Sequence, residues 1–274
     1  MAFHSATAYK VLGFLSLNLW GRLSASVQRV ISATISRLYE TRFSRFMIGP
    51  YCLWQFGSWF HYRQFVPGGG KNRYETFQDF FTRDFVSPLS VSDKGIWPCE
   101  GFLCEKGKVS EIPRVKVKGE VKNLRTVFGG SGPEIPNDYH FINVFLHNKN
   151  YHHIHSPVSG VVKSVEHIPG ELLLLRPWAY RKTPSLPALT NERVNVSLQD
   201  DQDQKWYLSI VGGPMVATIN RGPGLKEGQR VTVGEKIASF RLGSTLCMVS
   251  PVPPAIPAGI WVSVGHPLHQ HKPS

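Results

Sequence analysis

Acidic residues are scarce in this 274-residue sequence, where 19 Asp and Glu stand against 31 Lys and Arg and the formal net charge is +12. The scarcity is greatest near the start, because Glu40 is the only acid between Ala2 and Pro50. Such an excess of positive charge suits a polyanionic partner, either nucleic acid or an anionic membrane surface. The charge is spread out, and no zinc-finger, RRM or helix-turn-helix pattern occurs, so we expect no nucleic-acid partner.

Cysteines are few, and long apolar runs are absent. The four cysteines form no Cys-x-x-Cys pair and no disulfide-scaffold spacing, which favours a reducing compartment; they are Cys52, Cys99, Cys104 and Cys247. No apolar run reaches 18 residues, so we expect no transmembrane helix. Residues 1–8 lack the charged start of a secretory signal, whereas the Arg-rich, acid-poor beginning also fits an import presequence.

The first 66 residues differ in character from the rest and form the first predicted region. Residues 46–62 contain no Lys, Arg, Asp or Glu. They do contain Phe46 and six further aromatic residues of the Phe, Trp and Tyr types. Aromatic rings flanked by Arg45 and Arg63 are typical of a segment that lies in a membrane interface. The alternative is a helix whose aromatics pack against a second domain. We predict membrane-associating helices over 1–66, a linker at 67–70 and a second domain over 67–274.

The remainder of the chain favours β-structure. Residues 74–85 read as a short amphipathic helix, and beyond Pro98 short β-rich runs alternate with Gly and Pro turn signals. The runs are 140–147, 158–166, 193–198, 206–211, 230–233 and 245–249. This pattern predicts an α+β protein with a β-rich, sandwich or barrel-like catalytic domain and N-terminal helices that dock on a membrane.

A Gly-Ser bond at residues 243 and 244 is the first feature that can carry chemistry. Glycine tolerates a tight turn, in which the Ser244 hydroxyl can attack the carbonyl of Gly243 to give an ester. The same short sequence also occurs in ordinary turns. Taken alone, it therefore leaves function and plain structure both open.

Three histidines within four residues, His152, His153 and His155, can exchange protons near neutral pH or bind a metal. No His-Glu-x-x-His motif or cysteine pair accompanies them, so we expect no metal; a surface cluster without a role is the other alternative. Glu100 lies on a turn bounded by Pro and Gly, where a carboxylate can orient an imidazole. The segment 191–194 is a polar turn that enters a strand and is more often structural.

The order of these motifs resembles the phosphatidylserine decarboxylase proenzyme family. The resemblance runs from Tyr74 to Thr245 and is carried by the following motifs: Phe80-Phe81-Thr82-Arg83, the Pro98-to-Gly101 turn, Tyr151-His152-x-x-His155-x-Pro157, Asn191-Glu192-Arg193-Val194, Val211-Gly212, Gly234-Glu235 and Leu242-Gly243-Ser244-Thr245. The sequence departs from the family at two places. The family usually has Ala-Asp-Gly where this chain has Cys99-Glu100-Gly101, and it usually has Arg where His153 stands.

The resemblance implies self-cleavage between Gly243 and Ser244, with His155 as the base and Glu100 orienting its ring. The products would be a β chain, residues 1–243, and an α chain, residues 244–274. Ser244 would become a pyruvoyl group, whose carbonyl accepts the electrons released when CO₂ leaves, so no exogenous organic cofactor is needed. His152 would contact the substrate carboxylate or return a proton to the product carbon.

The implied reaction converts phosphatidylserine into phosphatidylethanolamine. The implied partners are an anionic phospholipid membrane and a second copy of the αβ unit. The membrane would be a bacterial inner membrane or the mitochondrial inner membrane. Two alternatives stay open. One is a pyruvoyl decarboxylase acting on a soluble amino acid, which His153 in place of Arg would allow. The other is a membrane-binding homologue that neither cleaves nor catalyses, which Glu100 in place of Asp would favour.

Overall fold

The structure of the chain is a computed structural model that describes residues 6–92, 95–117, 119–180, 183–214, 219–240 and 243–269. Its α-helices are α1 (Ala6–Asn18), α2 (Ala25–Tyr39), α3 (Ile48–Phe56) and the single turn α4 (Phe77–Phe81). Short 3₁₀ helices occur at Trp20–Arg22, Arg42–Met47, His61–Gln64, Gly68–Gly70, Leu124–Glu134, Pro177–Tyr180 and Pro187–Leu189. The four α-helices all precede the main sheet in sequence.

The strands of the described residues follow in chain order. They are β1 (Phe65–Val66), β2 (Asp84–Phe85), β3 (Gly101–Lys108), β4 (Val115–Val117), β5 (Glu120–Lys122), β6 (His140–Leu146), β7 (His153–His155), β8 (Gly160–Ile168), β9 (Arg193–Asp200), β10 (Lys205–Gly212), β11 (Ile219–Arg221), β12 (Arg230–Val231), β13 (Lys236–Phe240), β14 (Ser244–Ser250) and β15 (Trp261–Val262). The six β-rich runs predicted from the sequence are confirmed as strands, with ends that differ by a few residues.

Eight of these strands form one antiparallel sheet in the order β12-β8-β9-β10-β14-β6-β3-β15. The sheet is open, since β12 and β15 lie at its two edges. The α+β class is therefore confirmed, but the sheet does not close into a barrel. A second sheet has the order β11-β13-β7, and its strand β7 contains His153 and His155. The strand β14 lies inside the large sheet, between β10 and β6.

Two hydrophobic clusters cover the two faces of the large sheet. Along β14 the side chains alternate, as they must in a strand: Leu246 and Met248 belong to one cluster, whereas Cys247 and Val249 belong to the other. The first cluster also contains Ile154 of β7 and Phe240 of β13. The histidine-bearing sheet therefore packs on the Leu246 face of β14, which is also the face of Ser244.

The predicted helix at 74–85 is much shorter in the structure. Thr76 and Asp79 form a capping box, in which each side chain accepts a hydrogen bond from the other's backbone N–H, so α4 begins only at Phe77. It ends at Phe81, and residues 84–85 instead form β2, which pairs with β1. The helix prediction was wrong at both ends, because the cap and this strand pairing override the apolar periodicity.

The helix α2 is inverted relative to an ordinary surface helix, whereas α3 buries apolar residues in the usual way. On α2 the buried residues are Gln28, Ser32 and Ser36, spaced by four, whereas Val30 and Leu38 are exposed. No described helix combines the length and the apolar character that crossing a bilayer requires. The glycines at 68–70, predicted as a linker, form a tight turn in which Gly68 packs against the backbone of Thr82.

Candidate active site

Ser244 opens β14 in the middle of the large sheet. Its Cα pairs with Gly212 on β10 and with Leu146 on β6. The residue is fully buried, and its Oγ has no hydrogen-bond partner among the residues that the structure describes. A buried hydroxyl without a partner loses hydration and gains nothing in exchange, so it calls for an explanation. By the alternation of the strand, the hydroxyl points to the face on which the histidine sheet packs.

The carbonyl of Gly243 lies in a crowded place. A Cβ built on Gly213 would stand 3.5 Å from the Gly243 oxygen and 2.7 Å from Leu175 Cδ1. A Cβ built on Gly243 itself would stand 2.8 Å from Asn148 Oδ1. Glycine at 213 therefore leaves room for the Leu175 side chain beside the cleavage bond, and glycine at 243 leaves room for that of Asn148.

His155 is buried on β7, and both of its ring nitrogens are hydrogen-bonded. Nδ1 lies 2.6 Å from the carbonyl oxygen of Gly234, which can only accept, so Nδ1 carries the proton. Nε2 then holds a lone pair, which accepts from the Tyr151 hydroxyl at 3.1 Å. Burial and, to a smaller degree, the charge of Lys236 lower the pKa of His155. The imidazole is therefore a neutral base at physiological pH.

His152 is completely buried and also neutral. Its Nδ1 donates to the carbonyl of Asn150 at 2.8 Å, and its ring packs on Phe81 with the ring centres 4.0 Å apart. Within the described ranges its Nε2 has no partner, so this lone pair, like the Ser244 hydroxyl, is an unpaired buried group there. Burial lowers the pKa of His152 well below its ordinary value, and Arg83 lowers it further. The N–H of Phe240, four residues before Ser244, donates to the His152 carbonyl at 3.1 Å.

Glu100 lies beside the histidine loop but does not hold His155. Its Oε1 accepts a hydrogen bond from Asn150 Nδ2, and the backbone carbonyl of Asn150 in turn holds His152. Among the described residues, the carbonyl of Gly234 takes the place that the predicted triad gave to the carboxylate. The predicted contacts of His155 with Glu100 and with Ser244 are not made in this conformation. The triad therefore stays a prediction.

Arg83 fixes the same loop from the other side. Its guanidinium is buried and donates to the backbone carbonyls of Phe80, Lys149 and Asn150, at 3.3, 2.7 and 3.2 Å. Burial lowers the pKa of Arg83, an effect that Glu100 partly opposes as a nearby negative charge. The sequence pattern contains Arg83 only as the end of the Phe-Phe-Thr-Arg motif. Its function in holding residues 149–150 depends on contacts that the sequence does not reveal.

His153, which stands where the resemblance led us to expect Arg, provides no fixed positive charge. Its Nε2 lies 3.1 Å from the carbonyl of Thr82 and 3.6 Å from Asp84. Burial and the neighbouring Lys236 lower the pKa of His153 to about 4. Lys236 itself forms an ion pair with Asp84. The cation at this place is therefore Lys236, whereas His153 is neutral.

A cavity of about 300 Å³ reaches the surface beside His155. Its lining includes Asp84, Phe85, Tyr151, Gly234 and the imidazole of His155. It contains a carboxylate, a phenol and an imidazole among apolar walls, which is typical of a site for a small polar group. Within the described ranges, no three His, Cys, Asp or Glu side chains converge in a way that could hold a metal ion.

Sequence reasoning missed three residues that organise the site. Asn150 links Glu100 to His152, Tyr151 contacts His155, and the fully buried Asn191 hydrogen-bonds the carbonyl of Gly212 beside Ser244. Tyr151 and Asn191 lie inside motifs that the sequence had singled out, and Asn150 directly precedes one of them. The neighbouring histidines and the charged Glu192 drew attention away from them, because an amide or a phenol alone does not indicate catalysis.

Comparison with known proteins gives a consistent result. The profile of the family described as phosphatidylserine decarboxylase matches residues 77–269. A phosphatidylserine decarboxylase proenzyme of Variovorax paradoxus is 30% identical over 204 residues, which cover 67% of this chain and 71% of that protein. The corresponding proenzyme of an Azoarcus species is 32% identical over 200 residues, covering 65% and 68%. That of Chromobacterium violaceum is 29% identical over 202 residues, covering 66% and 71%.

The matched residues include every side chain described above around the Gly243–Ser244 bond, and they leave out α1, α2 and α3. The resemblance inferred from the motifs is thereby confirmed. With the greater part of its length matched, the chain belongs to the phosphatidylserine decarboxylase family.

Proposed function

We propose that the chain cuts itself between Gly243 and Ser244 and then converts phosphatidylserine into phosphatidylethanolamine and CO₂. The observation that carries this proposal is the fully buried hydroxyl of Ser244, at a Gly-Ser bond in the middle of the sheet, which has no partner in the described part of the chain. A hydroxyl in an apolar core without a partner destabilises the fold by roughly 1–3 kcal/mol. A protein can retain a hydroxyl that lowers its stability in this way when the hydroxyl serves as a nucleophile.

Self-cleavage requires a base, and we assign that role to His155. Its Nε2 lone pair would take the proton of Ser244 Oγ, after the serine side chain has turned toward it, and Oγ would form a bond to the Gly243 carbon. The Gly243–Ser244 C–N bond breaks as the nitrogen gains a proton, which leaves an ester. Loss of the Ser244 Cα proton then expels the Gly243 carboxylate, and water converts the resulting dehydroalanine into a pyruvoyl group and ammonia.

The buried surroundings of Ser244 fit such a group, because a carbonyl needs less space and fewer hydrogen bonds than a free N-terminal amine. When present, the group supplies an electron-accepting carbonyl for decarboxylation. The chain's own residues then exclude water and manage protons. His152, neutral and with an unpaired Nε2, would contact the substrate carboxylate or return a proton to the product carbon. Tyr151 and His155 would face the serine headgroup in the cavity that they line.

We also propose that α1, α2 and α3 dock on an anionic bilayer. The supporting observation is the exposure of aromatic side chains in this region: Phe43 and Phe46, in the 3₁₀ helix before α3, and Trp54 of α3 are 84%, 70% and 75% exposed. On α2, three polar residues are buried, whereas Val30 and Leu38 are exposed. The basic residues of this region face few acids, so charge favours lipid phosphate over a neutral surface. A bacterial or mitochondrial inner membrane and a homodimer, which the resemblance implies, stay predictions.

The intact mass of the purified chain under denaturing conditions tests the proposal, beside a Ser244→Ala variant. We expect two fragments from the natural chain, residues 1–243 and a pyruvoyl-blocked 244–274, and one uncut chain from the variant. The cut protein should release CO₂ from phosphatidylserine in vesicles and not from free amino acids. Release from free amino acids alone would support the soluble-substrate alternative, and an uncut natural chain would support the non-catalytic one.

A further inference from the structure

The polar face of the N-terminal helices holds a segment of the catalytic domain, residues 172–174. Leu172 N–H donates to Gln28 Oε1 at 2.7 Å, and Trp20 Nε1 donates to the Leu172 carbonyl at 2.7 Å. Leu174 N–H donates to Ser16 Oγ at 3.0 Å. These contacts explain why Ser16 and Gln28 are buried while their apolar neighbours on α1 and α2 are exposed.

The next contacts lead from this segment to the cleavage site. Asn191 accepts from Leu173 N–H at 3.0 Å and donates from Nδ2 to the carbonyls of Leu173 and Gly212, both at 2.8 Å. Gly212 is the strand partner of Ser244. The segment and the cleavage bond are thus joined by one buried amide side chain.

Two further contacts strengthen the connection. Leu175, directly after the held segment, packs against Gly213, which lies beside the Gly243 carbonyl. Glu192 accepts from Gly212 N–H through its backbone carbonyl at 2.9 Å, and its carboxylate accepts from Arg29 of α2 at 3.3 Å. The polar turn at residues 191–194 therefore connects α2 to the strand beside Ser244.

We propose that Ser16, Trp20 and Gln28 are positioning residues, which hold residues 172–175 and, through Asn191, set the position of Gly212–Gly213 against the Gly243–Ser244 bond. The helices proposed to dock on lipid thereby shape the site of cleavage and of the later reaction. This inference rests on the proposed function. The inference does not depend on what the helices bind, because Ser16, Trp20 and Gln28 face the protein and not the outer surface.

A Gln28→Leu variant tests the inference, because leucine has nearly the same volume and makes no hydrogen bond. We expect conversion of the 274-residue chain into its fragments to slow at least tenfold. Binding to phosphatidylglycerol vesicles should stay within twofold of the natural chain. The control is Gln202→Leu, the same chemical change at an exposed turn, which should leave both quantities unchanged.

Ser16→Ala and Ser16→Thr provide a second, milder test should Gln28→Leu fail to fold. The alanine variant should cleave several-fold more slowly, and the threonine variant, which keeps the hydroxyl, should recover most of the rate. After cleavage, the alanine variant should show a lower kcat on phosphatidylserine in detergent micelles with little change in KM. A loss of general stability alone would not give this split or this rescue.

Hydrogen exchange in the uncut Ser244→Ala background provides a readout independent of cleavage. Gln28→Leu should speed amide exchange in peptides covering 172–175 and 211–213, and leave β3 unaffected. Natural rates of cleavage in both Gln28→Leu and Ser16→Ala, or exchange that is unchanged in these peptides, would overturn the inference. If the natural chain does not cleave, the proposed function fails, while the exchange experiment still decides whether the helices position this segment.

Discussion

Gly213→Ala examines whether the packing of Leu175 against residue 213, beside the cleavage bond, matters as much as the structure indicates. The added Cβ would stand 2.7 Å from Leu175 Cδ1 and 2.9 Å from Leu175 Cγ, distances that folded proteins do not tolerate. It would also stand 3.5 Å from the Gly243 oxygen, which is ordinary contact. The φ angle of Gly213 is not in the left-handed region, so the effect of the substitution is steric.

The clash must be relieved by a movement of about 1 Å, either of Leu175 or of the strand that carries Gly213. Leu175 is buried in the second cluster together with Val211 and Leu189, so it has little freedom to withdraw. Overpacking of this kind costs about 1–3 kcal/mol of the free energy of unfolding. A displacement of about 1 Å at reacting atoms can slow a reaction about a hundredfold. We therefore expect cleavage to slow by about 10- to 100-fold.

The assay follows the disappearance of the uncut chain by denaturing electrophoresis after synthesis, and thermal unfolding is measured in the Ser244→Ala background. The control is Gly130→Ala, where the new Cβ meets its nearest atom, Glu166 Oε2, at an ordinary 3.6 Å. We expect the control to cleave and melt like the natural chain. If Gly213→Ala also cleaves at the natural rate, the packing of residue 213 does not define the geometry of the cleavage site.

Three further predictions concern the membrane surface and the histidines. Phe43→Ser, at a side chain that is 84% exposed, should weaken vesicle binding about tenfold or more in a sedimentation assay, because burying a phenylalanine stabilises by about 1.5–3 kcal/mol; unchanged binding would exclude this face. Because the folded pKa of His155 is lowered from 6.5, the rate of self-cleavage should fall to half only below pH 6.5; a midpoint at or above that value would contradict His155 as the base. The pKa values of His147 and His153 are lowered to about 4, so between pH 6.5 and 4 the unfolded chain binds protons that the folded chain does not. The melting temperature of the Ser244→Ala chain should therefore decrease across this window as the pH falls, and a smaller decrease is expected in His153→Gln.

The strand predictions succeeded where a run of residues alternates or is uniformly apolar over at least four positions. The runs at 140–147 and 206–211 contain enough Val, Ile, Phe and Tyr to indicate β-structure without any knowledge of their partners. The strands β7 and β13 were not predicted, because β7 is three residues long and rich in histidine. Its extended form depends on pairing with β13, which lies about 80 residues further along the chain.

The candidate site could be predicted as a set of residues but not as an arrangement. The motifs indicated Ser244, His152 and His155, whose chemistry is evident from the residue types. They did not indicate that the carbonyl of Gly234 would occupy Nδ1 of His155, since a backbone carbonyl leaves no mark in the sequence. For the same reason the contact between Glu100 and Asn150 was not foreseen.

The sequence by itself was sufficient to predict the α+β class, the Gly-Ser bond, the histidines that can act as bases near neutral pH, and the basic, aromatic N-terminal region. These features depend on local residue chemistry and on short-range order. Only the tertiary structure decided that three polar residues of α2 face inward and that Ser244 is buried without a partner among the described residues. It also decided that Asn191 connects Gly212 to the segment that α2 holds. Each of these depends on which distant segments meet, and burial and hydrogen bonding acquire their energies only once water has been removed between them.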